Sequence, residues 1–197
     1  QAFFENAGGS YTCKQVIDRL TRFYIERKVQ PYAPYAASTL GGEEMDEARV
    51  RMAEMLGVAT HELSFGPSTT QNTYVLANAV RRWLKPGQAI IVTNQDHEAN
   101  SGPWRRLAEE GIEVREWKID ADTGHLDIAA LDDLLDENVK LLCFPHCSNV
   151  VGEINDVAAI TKRAHANDTR VVVDGVSYAP HGFADVGALG CDVYLFS

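Results

Sequence analysis

Polar side chains that could bind or activate a ligand follow four separate apolar runs of this sequence. Hydroxyl groups follow the first run, imidazole groups follow the second and third, and a carboxyl group ends the fourth. These groups can hold anions, transfer protons and pair with cations. The residues concerned are Thr69 and Thr70, then His97, then His146 and Asn149, and finally Asp174 with Ser177.

The hydroxyl segment Ser68-Thr69-Thr70 stands at the predicted start of a helix. Hydroxyl groups and the free N–H groups of a first helical turn together form an anion site. A plain helix cap uses the same residue types, so this segment alone leaves both interpretations open. His97 is equally ambiguous, because an imidazole after a buried strand is either catalytic or a capping group.

Asp174 ends an apolar run, where a carboxylate is costly to bury unless a cation or a donor meets it. A helix cap, a structural salt bridge or a bound cationic ring would each satisfy that need. Together the four sets offer an anion cradle, an acidic partner, a flat imidazole and hydroxyl or amide donors. This equipment suits a phosphorylated aromatic cofactor, and pyridoxal 5′-phosphate is the obvious one, since its ring nitrogen needs an acidic partner.

Strands that alternate with helices must bring these residues together. The spacing of apolar residues predicts strands over 63–65, 89–93, 113–119, 140–145, 170–174 and 193–196. It predicts helices over 13–29, 43–56, 70–84, 103–110, 126–135 and 154–166. This alternation is typical of an α/β domain with a largely parallel sheet. Because ligands bind beyond the carboxyl ends of such strands, the four polar sets are expected to meet at one edge.

Composition narrows the classes of protein and partner. The 197 residues are 45% hydrophobic and 23% charged, which is typical of a soluble globular domain. The apolar runs are too short to span a bilayer, and no signal peptide is visible, so we expect a cytoplasmic protein without a membrane partner. A net charge of −10 argues against nucleic acid as a ligand. The cysteines are expected to be reduced, buried thiols, and no bound metal is expected. The alternative is a zinc site formed by Cys143, His146 and Cys147.

Several segments resemble the class V aminotransferase family, and in particular its cysteine desulfurase-like branch. The resemblance covers almost the whole chain, and its most specific part is the block from Asp174 to Ser197. The segments are Phe4-Glu5-Asn6-Ala7-Gly8, Ser68-Thr69-Thr70, Leu76-Ala77-Asn78, Asp96-His97-Glu98-Ala99-Asn100, His146-Cys147-Ser148-Asn149-Val150-Val151-Gly152, Asp174-Gly175, Ala179-Pro180-His181, Asp185-Val186, Leu189-Gly190-Cys191-Asp192 and Phe196-Ser197.

The resemblance implies fold type I of the pyridoxal-phosphate-dependent transferases, whose large domain has a mostly parallel, mixed sheet between helices. It also implies a role for each matched residue. His97 would stack on the pyridine ring and assist proton transfer, and Asp174 would pair with the ring nitrogen. Thr69, Thr70 and Ser197 would bind the phosphate, Asn149 would lie near the ring's O3′ side, and Ser177 stands where desulfurases usually carry a Gln or His that contacts O3′.

One element of the family pattern is not in this chain. The Schiff-base lysine is expected beyond Ser197, and no lysine of the chain follows the Ser-x-x-Lys pattern. We therefore expect the N-terminal half of a longer protein. Residues 1–20 would form an N-terminal segment and residues 21–197 the incomplete cofactor-binding large domain, with the small C-terminal domain absent.

The resemblance implies a pyridoxal-phosphate-dependent enzyme that acts on an amino acid, desulfurase-like in its C–S cleavage and sulfur transfer. An aminotransferase or epimerase uses the same apparatus, and a non-catalytic pseudoenzyme subunit is the alternative of another class. A homodimer is expected, partly because the aromatic loop Pro31-Tyr32-Ala33-Pro34-Tyr35 has no pattern that would bury it within one domain. A sulfur-acceptor protein is a possible further partner.

Overall fold

The computed structural model describes residues 2–4 and 9–197. Of the opening motif Phe4-Glu5-Asn6-Ala7-Gly8, residues 5–8 therefore lie outside the described residues. The chain divides into two compact units, one ending at Leu63 and the other spanning Ser64–Ser197. All the candidate site residues belong to the second unit. Within the described residues, no helix is both long and apolar enough to cross a membrane.

The first unit consists of helices joined by ion pairs. Its elements are α1 (Lys14–Glu26), α2 (Ala36–Leu56) and a short 3-10 helix (Thr60–Glu62). The carboxylate of Glu44 on α2 lies 3.3 Å from Arg19, 3.0 Å from Arg22 and 3.6 Å from Arg27. These guanidinium groups lower the pKa of Glu44 against the opposing effect of its desolvation. The shared carboxylate thereby ties α1 to α2.

The start of α2 differs from the prediction. The helix begins at Ala36 rather than at residue 43, and Gly41 and Gly42 are buried inside it. A Cβ atom added at Gly42 would lie 2.7 Å from the ring of Tyr32. Glycine is needed there for close approach, so a tertiary contact outweighs its poor helix propensity.

The predicted strand over 63–65 is wrong. These residues have extended or irregular backbone and join no ladder. The carbonyl of Leu63 accepts a hydrogen bond from the Arg49 guanidinium instead of a strand partner. The segment then enters a turn at Gly66 and Pro67, and proline has no N–H to donate to a ladder. An apolar run of three residues is too short to specify a strand by itself.

A five-stranded parallel sheet forms the centre of the second unit, in the order β2-β1-β3-β4-β5. The strands are β1 (Ala89–Thr93), β2 (Glu113–Trp117), β3 (Val139–Pro145), β4 (Arg170–Asp174) and β5 (Val193–Leu195). The helices are α3 (Thr69–Arg81), α4 (Glu98–Arg105), α5 (Ile128–Asp132), α6 (Val157–His165) and α7 (Val186–Leu189), with 3-10 helices at Arg106–Glu110 and Ala179–His181. The predicted α/β class is confirmed, although the described strands all pair in parallel rather than forming a mixed sheet.

The two faces of this sheet are both covered. In β1, Ile91 points to the core shared with α5 and α6, whereas Ile90 and Val92 point to the core shared with α3 and α4. Trp104 of α4 is fully buried in the second of these cores. Burial on both faces explains why β1 and β4 are continuous apolar runs instead of alternating ones.

The strand order places a topological switch point between β1 and β3. The chain moves outward from β1 to β2 on one side and from β3 to β4 and β5 on the other. Loops that leave the carboxyl ends of β1 and β3 therefore turn in opposite directions and open a crevice between them. His97 follows β1 and Asn149 follows β3, so both lie in loops that border this crevice.

The cysteines are all free thiols. Cys143 and Cys147 are buried and Cys191 is half-buried, but Cys13 is exposed. The expectation of buried thiols is therefore wrong for Cys13, which precedes α1 directly. Burial raises the pKa of the Cys147 thiol. Across residues 2–4 and 9–197, no group of three or more potential ligands converges on a metal position.

Candidate functional site

Asp174 is the most deeply buried acid at the carboxyl edge of the sheet, with 6% of its surface exposed. It ends β4, and its Oδ1 accepts a hydrogen bond of 2.8 Å from the N–H of Val176. Desolvation raises the pKa of this carboxyl, and the Val176 N–H and the charge of His97 counteract it in part. His97 follows β1 and Asp174 ends β4, so the parallel sheet places both predicted site residues at its carboxyl edge.

His97 caps the helix α4. Its Nδ1 accepts a hydrogen bond of 3.0 Å from the N–H of Ala99. Because Nδ1 is an acceptor, the neutral ring carries its proton on Nε2. The side chain is exposed, so the cap holds one edge of an imidazole whose other edge remains accessible. The capping interpretation and the catalytic interpretation of this residue are therefore compatible.

Asp96 precedes His97 in the segment Asp96-His97-Glu98-Ala99-Asn100, and the sequence assigns it no role of its own. Its Oδ1 accepts the N–H of His97 at 2.9 Å, and its Oδ2 accepts the amide of Asn100. Desolvation and the negative charge of Asp174 raise the pKa of Asp96 to about 8. Two acids and an imidazole thus interact at the ends of β1 and β4, which is typical of functional sites.

The loop after β3 holds Asn149 in a turn that is fastened to the loop after β1. The hydroxyl of Ser148 donates to the carbonyl of Gln95 at 3.1 Å and accepts the N–H groups of Val150 and Val151 at 3.3 Å. Asn149 lies half-buried inside this turn. Ser148 therefore sets the position of Asn149 relative to the segment that carries His97.

A buried amide network, which sequence reasoning missed, supports the same loops. The Gln95 side chain donates to the carbonyl of Gly124 at 3.1 Å and to Glu153, and accepts from Asn155 at 2.8 Å. Asn155 also donates to the carbonyl of Pro145 at the end of β3, at 2.7 Å. The network joins loops that follow β1, β2 and β3. A single glutamine in sequence carries no signal of such a role.

The start of α3 has the features of an anion site. Ser68 caps the helix by accepting the N–H of Gln71 at 3.2 Å. Thr69 is 7% exposed, and its hydroxyl has no hydrogen-bond partner among the described residues. A buried hydroxyl without a partner is costly, which points to a ligand that would satisfy it. A Cβ atom at Gly66 would lie 1.8 Å from Asn72 Oδ1, so a larger residue in the turn that leads into the helix would require the Asn72 side chain to move.

The remaining predicted site residues are less constrained. Thr70 is exposed in the first turn of α3, and Ser177 is half-buried after Asp174. Ser197 is exposed two residues after the end of β5, a strand whose Leu195 packs into the same core as Ala77 of α3. For these three side chains the described contacts include no bond to another predicted site residue, and their ligand roles stay predictions.

An aromatic stack lies beneath the end of β4. The ring of His146 is stacked on Tyr178 with centroids 3.7 Å apart, and its Nδ1 lies 2.8 Å from the hydroxyl of Tyr194. Burial lowers the pKa of His146 and raises that of Tyr194. A Cβ at Gly175 would lie 2.2 Å from the Tyr194 ring, so glycine after Asp174 allows the ring to pass. His146 is therefore a core residue and a poor candidate for a zinc ligand.

Comparison with known proteins supplies the family. The Aminotransferase class-V family profile matches residues 2–197. The chain is 36% identical over 200 residues to a cysteine desulfurase of Serratia proteamaculans, covering 100% of this chain and 49% of that protein. It is 37% identical over 204 residues to the aminotransferase-like protein FGM3 of Gibberella zeae, covering 100% of this chain and 50% of that protein. The chain thus spans about half the length of the curated relatives it matches.

Solved structures agree with the fold. The apo structure of a cysteine desulfurase from Thermococcus onnurineus matches with a TM-score of 0.91 and 26% identity, over 98% of this chain and 48% of that one. The cysteine desulfurase CsdA of Escherichia coli matches with a TM-score of 0.84 and 27% identity, over 97% of this chain and 49% of that one. The large-domain fold inferred from the sequence motifs is therefore confirmed.

Proposed function

The chain belongs to the class V aminotransferase family, and from this we propose that it is the cofactor-binding part of a pyridoxal-phosphate-dependent cysteine desulfurase. The observation that carries the proposal is the buried carboxyl of Asp174 at the carboxyl edge of the sheet, the same edge at which His97 follows β1. The similarity to proteins named cysteine desulfurase supports the choice of reaction.

The start of α3 fits the phosphate group of this cofactor. The buried Thr69 hydroxyl lacks a partner among the described residues, and it would donate a hydrogen bond to a phosphate oxygen. The first N–H groups of a helix have no partner within the helix, and Ser68 satisfies only that of Gln71. We propose that Thr69 and Thr70 bind the phosphate through these groups, with Ser197 as a further donor.

The environment of Asp174 fits the ring nitrogen. The Val176 N–H is its only side-chain hydrogen bond among the described residues, and desolvation raises its pKa. A protonated ring nitrogen would supply the missing opposite charge and return the pKa of Asp174 toward its ordinary range. Asp174 would then hold a proton on that nitrogen. When bound there, the cofactor supplies a ring that withdraws electrons from the α-carbon of an amino acid.

Three side chains would complete the contacts of the ring. His97 would lie against the ring face, with Nδ1 fixed by the Ala99 N–H and Nε2 available to move a proton. Asn149 would lie on the O3′ side, held there by the Ser148 turn. Ser177 is shorter than the Gln or His that the desulfurase pattern carries, so its contact with O3′ would be absent or bridged by water.

Our proposal for the parts of the enzyme outside this chain rests on the family pattern. The lysine that holds the cofactor is expected beyond Ser197, in the longer sequence. We propose residues 21–197 as the cofactor-binding large domain, residues 1–20 as an N-terminal segment, and a C-terminal small domain beyond both. The enzyme would act on an amino-acid substrate, in the cytoplasm, as a homodimer, and would pass sulfur to an acceptor protein.

The reaction is tested on full-length protein loaded with pyridoxal phosphate. With L-cysteine and a thiol reductant, a desulfurase releases alanine and sulfide in equal amounts. The similarity to an aminotransferase-like protein favours transamination as the second candidate, which instead requires a 2-oxo acid and releases a new amino acid. If protein that binds the cofactor forms neither alanine with sulfide nor a new amino acid, the proposed activity is contradicted.

A further inference from the structure

A chain of hydrogen bonds runs from the core of α4 to the backbone of His97. The indole Nε1 of Trp104 donates to Oδ1 of Asn100 at 3.4 Å, and the Asn100 amide donates to Oδ2 of Asp96. Oδ1 of Asp96 accepts the N–H of His97 at 2.9 Å. Trp104 and Asn100 are both fully buried, so the chain is anchored in the rigid core of the second unit.

The direction of each bond in this chain is set by residue chemistry. An indole N–H only donates, so the oxygen of the Asn100 amide must face Trp104 and its nitrogen must face Asp96. The backbone N–H of His97 also only donates. The ionised carboxylate of Asp96 offers an acceptor oxygen to each of these donors, and only a residue with two acceptor atoms satisfies both neighbours.

We propose that Asp96 and Asn100 are positioning residues that fix the imidazole of His97 through this relay, which is anchored at Trp104. The relay fixes the His97 backbone, and the bond from the Ala99 N–H to Nδ1 then fixes its ring and its tautomer. Its benefit to the reaction rests on the proposed function, since His97 would meet the cofactor ring. The relay itself is a property of this chain.

The proposal depends on the order of donors and acceptors, which allows a sharp test. In Asp96→Asn a donor at position 96 faces either the Asn100 amide or the His97 N–H, both of which donate. In Asn100→Asp two carboxylates face each other. The double variant, Asp96→Asn with Asn100→Asp, restores a consistent chain. The new amide at position 96 can accept from His97 and donate to the new carboxylate at position 100, which can also accept from Trp104.

The experiment records the nitrogen NMR signals of the His97 imidazole in full-length, cofactor-free protein with isotope-labelled histidine, at about pH 9, where the Asp96 carboxyl is ionised. The wild type is expected to show the Nε2–H tautomer at His97. Each single variant is expected to lose this defined signal, and the double variant is expected to regain it. Asp156→Asn is the matched control, because it makes the same substitution at a residue that caps another helix, α6, through the N–H of Ala159, where an Asn cap is equivalent.

Kinetics on the loaded enzyme give a second measurement. Each single variant is expected to lower kcat about 10- to 100-fold, because a misplacement of about 1 Å at a reacting group has this effect. Its KM is expected to change less than about threefold, and the double variant should recover most of the loss. If the double variant does not fold, Trp104→Phe, which removes the indole donor and leaves a smaller ring in its place, should make the His97 tautomer less defined.

The proposal would be overturned if the single variants kept the wild-type His97 signal. It would also be overturned if the double variant folded but its His97 signal and kcat were no closer to wild type than those of the more affected single variant. These outcomes are separate from a failure of the proposed function. A protein that does not bind pyridoxal phosphate, yet shows the expected tautomer pattern in its cofactor-free form, would contradict the proposed function and leave the relay established.

Discussion

Replacing Thr69 by Val should stabilise the cofactor-free protein and weaken cofactor binding. The Thr69 hydroxyl is buried and has no partner among the described residues. An unsatisfied buried hydroxyl costs about 1–3 kcal/mol, and Val has nearly the same shape without this cost. The free energy of unfolding should therefore rise by about 1 kcal/mol or more. In the presence of the cofactor, loss of a hydrogen bond to phosphate should cost about 1.5–3 kcal/mol, or about 10- to 150-fold in Kd.

Thr73→Val is the matched control, one turn further along α3. Thr73 is also buried, but its hydroxyl donates to the carbonyl of Thr69 at 2.9 Å. Its replacement should lower the stability by about 1 kcal/mol or leave it unchanged, and should leave cofactor binding unaltered. The assays are urea denaturation of cofactor-free, full-length protein and equilibrium titration with pyridoxal phosphate. If Thr69→Val destabilises the protein as Thr73→Val does, or binds the cofactor as the wild type does, the inference of a phosphate site is wrong.

Further expectations concern the end of β4 and its neighbours. Asp174→Asn should retain weak cofactor binding and lose nearly all turnover, and an unchanged kcat would refute its pairing with the ring nitrogen. His97→Ala should keep the cofactor, seen by its absorbance, while kcat falls at least about 100-fold. Gly175→Ala should lower the free energy of unfolding by about 1–3 kcal/mol in urea denaturation, because its Cβ would overlap the Tyr194 ring, and a neutral result would contradict the packing. Because the pKa of Asp96 is raised, the folded state keeps a proton that the unfolded state releases. The free energy of unfolding should therefore fall as pH rises from about 4 toward about 8. Denaturation of the cofactor-free Asp96→Asn variant between about pH 5 and 9 should show a shallower decline, and an equal slope would refute the assignment.

The buried strands were predictable because their composition reflects burial on both faces. β1 and β4 lie where the apolar runs placed them, at Ala89–Thr93 and Arg170–Asp174. The starts of the helices were harder to locate, since tertiary contacts decide them. α2 extends back to Ala36 around buried glycines, and α4 begins at Glu98 because His97 caps it.

The candidate site was predictable where a residue type is unusual for its position. An acid at the end of an apolar strand and hydroxyls at a helix start carry such a signal, and the structure buries both Asp174 and Thr69 at these positions. The residues that support the site carry no such signal in the sequence. Gln95 acquires its role from Asn155, far along the chain, and Asp96 acquires its role from His97 and Asn100, which the start of α4 brings within reach.

The central claim is that this chain holds pyridoxal phosphate with its phosphate at the start of α3 and its ring nitrogen on Asp174. A crystal structure of the full-length protein grown with the cofactor tests this most directly. We predict the ring nitrogen within about 2.7–2.9 Å of an Asp174 carboxylate oxygen, with a phosphate oxygen on the Thr69 hydroxyl. A cofactor bound elsewhere, or one whose ring nitrogen faces another group while Asp174 keeps only the Val176 N–H, would contradict the account.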